Sequence, residues 1–210
     1  MLVHYIWVGG DNIPPSYLFN YQKCIKLNPG YSFLTWKDDD CISLLKEYNL
    51  FDYWINLTFI CKCNLLKYLV LDKFGGIYTD FDITWKFSFN KIINDFKFPY
   101  KDIILTSIPR SYITEDNNIT QLIDDPFIIS KPGLFKSCID YCMNRTNLKN
   151  DGEYYFETGK LKTHKLEPIG PFGLTEWLDK YKINYTHFSQ ETLLDNNGYF
   201  GSHAQKMNWK

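Results

Sequence analysis

The chain has 210 residues, a formal charge of -1 and 45% apolar side chains, which fits one globular domain with a continuous core over residues 1–210. Its charges are spread rather than blocked, which argues against a nucleic-acid partner or a polybasic membrane patch and directs the search to a pocket. No apolar run approaches the roughly 18 residues of a transmembrane helix, and Leu2 to Val8 lacks the basic start and small-residue cleavage site of a signal peptide. The expected location is the cytoplasm.

Leu2 to Val8 reads as a buried strand that enters a tight loop at Gly9-Gly10. Pro14-Pro15-Ser16 opens a helix to about Leu27, closed by Asn28-Pro29-Gly30, and Tyr31 to Trp36 is a second strand running into Asp38 to Asp40. From Thr58 to Phe74 the apolar positions recur at three and four, with Gly75-Gly76 as the stop. Ile77 to Thr79 is then a short strand. Further strands are expected at Ile103 to Ser107, Phe127 to Ser130 and Tyr185 to Phe188, with helices from Leu134 to about Met143 and from Gly170-Pro171 to about Tyr181. Thr146 to Lys165 reads as polar and irregular. The alternation predicts one α/β domain. Cys61, Cys63, Cys138 and Cys142 sit in apolar, helix-like segments without the usual zinc-knuckle spacing, so buried thiols are the plainer reading of the cysteines.

A D-x-D triplet is weak by itself, because about one or two arise by chance at this Asp content, as Asp38-Asp39-Asp40 illustrates. Asp80-Phe81-Asp82 differs in its context. It follows a helix, a Gly-Gly stop and a short strand, and so sits at the strand edge where open α/β sheets bind ligands. In an extended backbone, residues two apart point the same way, so both carboxylates could address one hard cation holding a diphosphate.

The stretch from Leu65 to Asp82, with Gly75-Gly76-Ile77-Tyr78-Thr79-Asp80-Phe81-Asp82 at its end, resembles the defining motif of the DXD glycosyltransferases of family 32, an arrangement shared with the large clostridial glucosylating toxins. His4 to Gly10, Asn28-Pro29-Gly30-Tyr31 with Trp36 and Asp38, Phe127 to Gly133, Gly170-Pro171 with Thr175, and the closing His203 with Trp209 are similar in the same order, so the resemblance covers nearly the whole chain. It implies a single GT-A (Rossmann-like) domain with a mainly parallel central sheet flanked by helices. It further implies a UDP- or GDP-sugar donor, with a UDP-sugar preferred here, Mn2+ or Mg2+, a glycan hydroxyl as acceptor, and transfer with retention.

Carried over by resemblance, Trp7 stacks on the base, with Val8 and Gly9 presenting backbone groups to it. Asp80 faces ribose and metal, Asp82 binds the metal, and His203 is the third metal ligand. Asn208 and Trp209 close over the diphosphate, and Asp125 lies near the reacting carbon; apart from the resemblance, Lys206 and Lys210 are candidates to neutralise the leaving diphosphate. Relatives carry Ser-Asp-x-x-Arg on the helix before the motif, where the Asp and Arg contact the donor. Here Cys63-Asn64-x-x-Lys67 keeps hydrogen bonding and charge but loses the Arg fork, which leaves the sugar open between a hexose and a deoxyhexose. The same departure admits an alternative, a catalytically degenerate module that holds a nucleotide sugar. The short, anchorless chain looks more like bacterial capsule enzymes or the domains encoded by large algal viruses than like Golgi members, and is compatible with one part of a larger multidomain glycosyltransferase.

Overall fold

The computed structural model describes residues 1–10, 12–113, 119–145, 153–157, 160–164, 169–189 and 201–203. The chain begins with β1 (Leu2–Ile6), α1 (Pro15–Leu27), β2 (Ser32–Trp36), α2 (Asp38–Glu47), α3 (Phe51–Trp54) and α4 (Phe59–Phe74). Next come β3 (Gly76–Thr79), β4 (Ile83–Trp85), α5 (Phe89–Asp95), a short 3-10 turn, β5 (Ile103–Ile113) and β6 (Ile119–Ser130). Then follow α6 (Lys136–Arg145), β7 (Glu153–Glu157), β8 (Lys160–His164), α7 (Pro171–Lys180), β9 (Tyr185–Ser189) and β10 (Gly201–His203).

The main sheet runs β2-β1-β3-β6-β5-β7-β8, with β9 added alongside β5. The α/β class holds, but the sheet is mixed rather than mainly parallel. β1 pairs β2 and β3 in parallel and β5 pairs β9 in parallel, whereas β6 lies antiparallel to both β3 and β5, and β7 to both β5 and β8. The difference has a local cause. β5 and β6 are long neighbours in sequence, and such neighbours return as an antiparallel pair without a crossover helix. The segment read as irregular contains β7 and β8.

Strand alternation divides the core between the two faces. Ile6, Tyr78, Ile103, Leu105 and Ile128 pack with α2, α4, α6 and α7 on one face, while Val3, Tyr5, Ile77, Ile104 and Phe127 pack beneath α1 and α5 on the other. The six cysteines form no disulfide, and five of them are buried.

Residue choice fixes the entry to β3. Gly75 and Gly76 end α4 with φ of 58° and 96°, a region that L side chains rarely adopt. A Cβ on Gly75 would lie 2.6 Å from Pro132 N, and one on Gly76 would lie 2.5 Å from Leu2 O, so backbone approaches too closely for any side chain. His4, buried in β1, secures the same junction. Its Nδ1 accepts from Trp36 Nε1 at 3.1 Å and its Nε2 donates to Gly75 O at 2.9 Å. The partners, a pure donor and a pure acceptor, specify the neutral tautomer.

Candidate active site

β1 leads out to β2 on one side and to β3 on the other, so the edge beyond Ile6 and Thr79 is a point where the chain reverses its direction of build across the sheet. Crevices outside the carboxyl ends of strands at such points are where α/β sheets bind ligands. Trp7 to Gly9 leave β1 there, and Asp80 to Asp82 leave β3.

The two aspartates do not lie on extended backbone as expected. Asp80 ends the strand, and Phe81 and Asp82 form a turn closed by Ile83 N donating to Asp80 O at 3.3 Å. The cause is Phe81, which is buried against Tyr5 at 4.6 Å, Trp7 at 5.8 Å and Tyr21 at 5.8 Å between ring centroids. Driving that ring into the core bends the chain, and leaves the half-buried carboxylates of Asp80 and Asp82 on either side of it. They still share one neighbourhood. Burial raises the Tyr17 hydroxyl above its ordinary value, and the charges of Asp82 and Asp80 raise it further. Asp80 is held from within its own strand: the Tyr78 hydroxyl donates to Asp80 Oδ1 at 2.5 Å, while Asp80 N donates to Pro126 O at 2.9 Å. Two half-buried carboxylates on one short turn are the hard oxygen donors that Mn2+ or Mg2+ selects, so these residues fit a divalent cation.

β10 pairs antiparallel with β4 and sets His203 opposite Ile83, the residue after Asp82. The backbone of His203 thus lies alongside the residue that follows the D-x-D turn. Its side chain, and Lys206, Asn208, Trp209 and Lys210 entirely, lie outside the described residues.

Trp7 stands beside this turn, edge-on to Tyr17 at 6.0 Å and to Phe81, and its buried Nε1 has no hydrogen-bond partner among the described residues. A buried indole N–H without an acceptor invites one from a ligand. Val8 is buried. Gly9 differs from expectation. Its N–H donates to both carboxylate oxygens of Asp38, at 3.1 and 3.2 Å, so it is already engaged by the protein. Asp38, one of the residues that carry the resemblance, therefore shapes the loop after β1.

On the α4 side the expected donor contacts are turned inward. Asn64 Nδ2 donates to Ile169 O at 3.0 Å and holds the start of α7. Lys67 is only 4% exposed and its Nζ reaches Asp125 Oδ1 at 3.0 Å and Asp125 O at 2.9 Å, lying 4.7 Å above the Tyr78 ring. Burial alone would lower the Lys67 pKa, but Asp125 and then Asp80 outweigh it and hold the ammonium above its ordinary value. The second carboxylate oxygen of Asp125 accepts from Tyr68 at 2.9 Å. Asp125 reaches this position because the β5–β6 ladder skips from Leu105↔Ile128 to Thr106↔Asp124, an irregularity that re-aims the intervening residues. With both oxygens engaged and 5% exposure, Asp125 is a partner of Lys67 rather than an acid presented to a reacting carbon.

The fold is of the GT-A type, with a D-x-D turn at its ligand edge. Residues 14–99 match the family model described as glycosyltransferase sugar-binding region containing DXD motif. Mannosyl phosphorylinositol ceramide synthase CSH1 of Saccharomyces cerevisiae is 32% identical over 88 residues, 39% of this chain and 22% of that protein. An uncharacterized glycosyltransferase of Acanthamoeba polyphaga mimivirus is 33% identical over 89 residues, 39% of this chain and 35% of that protein. These matches span between about a fifth and about a third of the relatives' own lengths. Among solved structures, PaToxG glycosyltransferase superposes with a TM-score of 0.59 at 17% identity, covering 86% of this chain and 69% of its own, which establishes the fold. Over residues 14–99 the chain is similar to the DXD-containing sugar-binding region of glycosyltransferases, on a GT-A fold, and it resembles the family 32 enzymes.

Proposed function

We propose that this protein is a metal-dependent, retaining glycosyltransferase that moves a hexose or deoxyhexose from a nucleoside-diphosphate sugar, a UDP-sugar in the first instance, to a hydroxyl of a glycan. The observation that carries this reading is the D-x-D turn, with two half-buried carboxylates fixed at the carboxyl edge of β3 beside Trp7 and the Tyr17 hydroxyl. Asp80 and Asp82 would hold Mn2+ or Mg2+, joined by His203, and the bound cation supplies Lewis acidity at the diphosphate. Trp7 offers the base an aromatic surface and an indole N–H. Asn64 and Lys67 act here by holding the start of α7 and the irregular stretch of β6, because their polar groups are engaged by Ile169 and Asp125.

The engagement of Asp125 by Lys67 and Tyr68 also favours a front-face course over a covalent intermediate on that residue. The bond from the anomeric carbon to the phosphate oxygen breaks, the bond to the acceptor oxygen forms on the same face, and the leaving phosphate oxygen takes the acceptor proton. The mannosyltransferase names among the relatives put GDP-sugars beside UDP-sugars as donors to be tried.

Release of UDP or GDP from a panel of nucleotide sugars, with and without Mn2+, tests the reading. We expect one donor to turn over only with metal, and Asp82→Asn to abolish that turnover. Full turnover by the variant would overturn the assignment. The inward orientation of Asn64 and Lys67 favours a second reading, a module that binds a nucleotide sugar without transfer, and tight binding with no released nucleotide would select it.

A further inference from the structure

Helix α1 packs its Tyr17, Asn20 and Tyr21 toward the D-x-D turn at i, i+3 and i+4 spacing. Tyr21 lies tilted against Phe81 and Tyr17 feels the charges of the two carboxylates, but Asn20 makes the directed contacts. Its Nδ2 donates to Phe81 O at 3.0 Å, and its Oδ1 accepts from Thr84 Oγ1 at 2.7 Å. The two bonds fall on either side of Asp82 and Ile83, so a single side-chain amide spans the segment that presents Asp82. Thr84 belongs to β4, where it pairs with Ser202 while Ile83 pairs with His203. The amide therefore ties α1 to the turn and to the strand that brings His203 alongside it.

We propose that Asn20 is a positioning residue for cation binding, holding the backbone before Asp82 and the Thr84 side chain after it so that the Asp82 carboxylate is presented together with that of Asp80. The inference rests on the metal-dependent reading above. An amide suits this task better than a charged group. It offers one donor and one acceptor to two neutral partners, and adds no charge that would compete with the carboxylates for the cation. Groups that hold metal-ligating side chains in place typically change metal affinity by about 10–100-fold when removed.

The test is titration of the protein with Mn2+ in the presence of UDP, and separately GDP, following free Mn2+ by electron paramagnetic resonance, with thermal melts in parallel. Asp82→Asn reports on the reading itself. If wild type and Asp82→Asn take up Mn2+ alike, the turn is not the cation site and this inference falls with that reading. If only wild type binds, Asn20→Ala is expected to weaken Mn2+ by about ten-fold or more, and Thr84→Val, which removes one of the two bonds, by less. Asn28→Ala is the structural control. Asn28 sits at the other end of α1, where it donates to Cys24 O and accepts from Phe89 N, so its loss should lower the melting temperature without moving Mn2+ affinity. Wild-type affinity in Asn20→Ala overturns the proposal, and so does an equal weakening in Asn28→Ala. Should Asn20→Ala fail to fold, Thr84→Val decides in the same way: weakened uptake supports the role and unchanged uptake overturns it.

Discussion

The two flanks of β3 treat charge in opposite ways. At the ligand edge, Asp80 and Asp82 are half-buried, and their turn is held by the Tyr78 hydroxyl from the α4 face, the Asn20 amide from α1 and backbone N–H groups, with the Lys67 charge also felt by Asp80. Toward α4, Lys67 and Asp125 are buried and hold each other, with Tyr68 completing the carboxylate. A carboxylate that must receive a cation has to keep an open side. A carboxylate locked to a lysine places backbone instead. Position on the sheet edge, rather than charge as such, separates the residues suited to chemistry from those suited to architecture.

The largest effect on stability is therefore expected on the closed flank. Lys67→Met leaves Asp125 buried without its counter-ion and should cost about 3–5 kcal/mol, read as a fall in melting temperature of about 2–4 °C for each kcal/mol in a protein of this size. Adding Asp125→Asn to that variant should recover part of the loss. Asp82→Asn should change stability far less while removing metal-dependent turnover. If Lys67→Met and Asp82→Asn destabilise equally, the contrast between the flanks is broken. Below these in size is Gly76→Ala, which forces a Cβ to within 2.5 Å of Leu2 O at a φ of 96°. Strain of this kind costs about 1–3 kcal/mol. Gly10→Ala, with nothing within 4 Å of its Cβ, is the matched neutral substitution.

Much of this was legible in the sequence where local rules decide. Helical periodicity with a Gly-Gly stop identified α4, Pro14-Pro15 and Asn28-Pro29 bounded α1, and the D-x-D triplet followed its strand as expected. The errors arise where distant residues decide. Phe81 turns the D-x-D segment because its ring finds Tyr5 and Tyr21 in the core, and no local pattern announces that choice. Asn20 meets Phe81 across 61 residues and Lys67 meets Asp125 across 58, so the roles of Asn20 and Asp125 have no signature in spacing. The β7–β8 pair escaped notice because backbone ladders can pair strands that lack a clear apolar alternation.

The smallest expected effect sharpens the comparison at the junction that feeds both flanks. His4 is buried in its neutral form between Trp36 and the Gly75 carbonyl. Burial pushes its pKa below the usual imidazole value, and the hydrogen bond to Gly75 offsets part of that shift. An unfolded chain therefore binds a proton at His4 before the folded one does. Stability from this residue is complete above the unfolded value of about 6.5 and is lost as pH falls through the folded value. Protonation would also set a new N–H against the Trp36 donor. The melting temperature should thus fall between about pH 7.5 and about pH 5.5, and the fall should be shallower in His4→Gln. His187, whose pKa burial also lowers, is present in both proteins, so the difference in slope isolates His4. Equal slopes would mean that His4 takes up its proton without disturbing the Gly75 junction, and that the entry to β3 is held by glycine geometry alone.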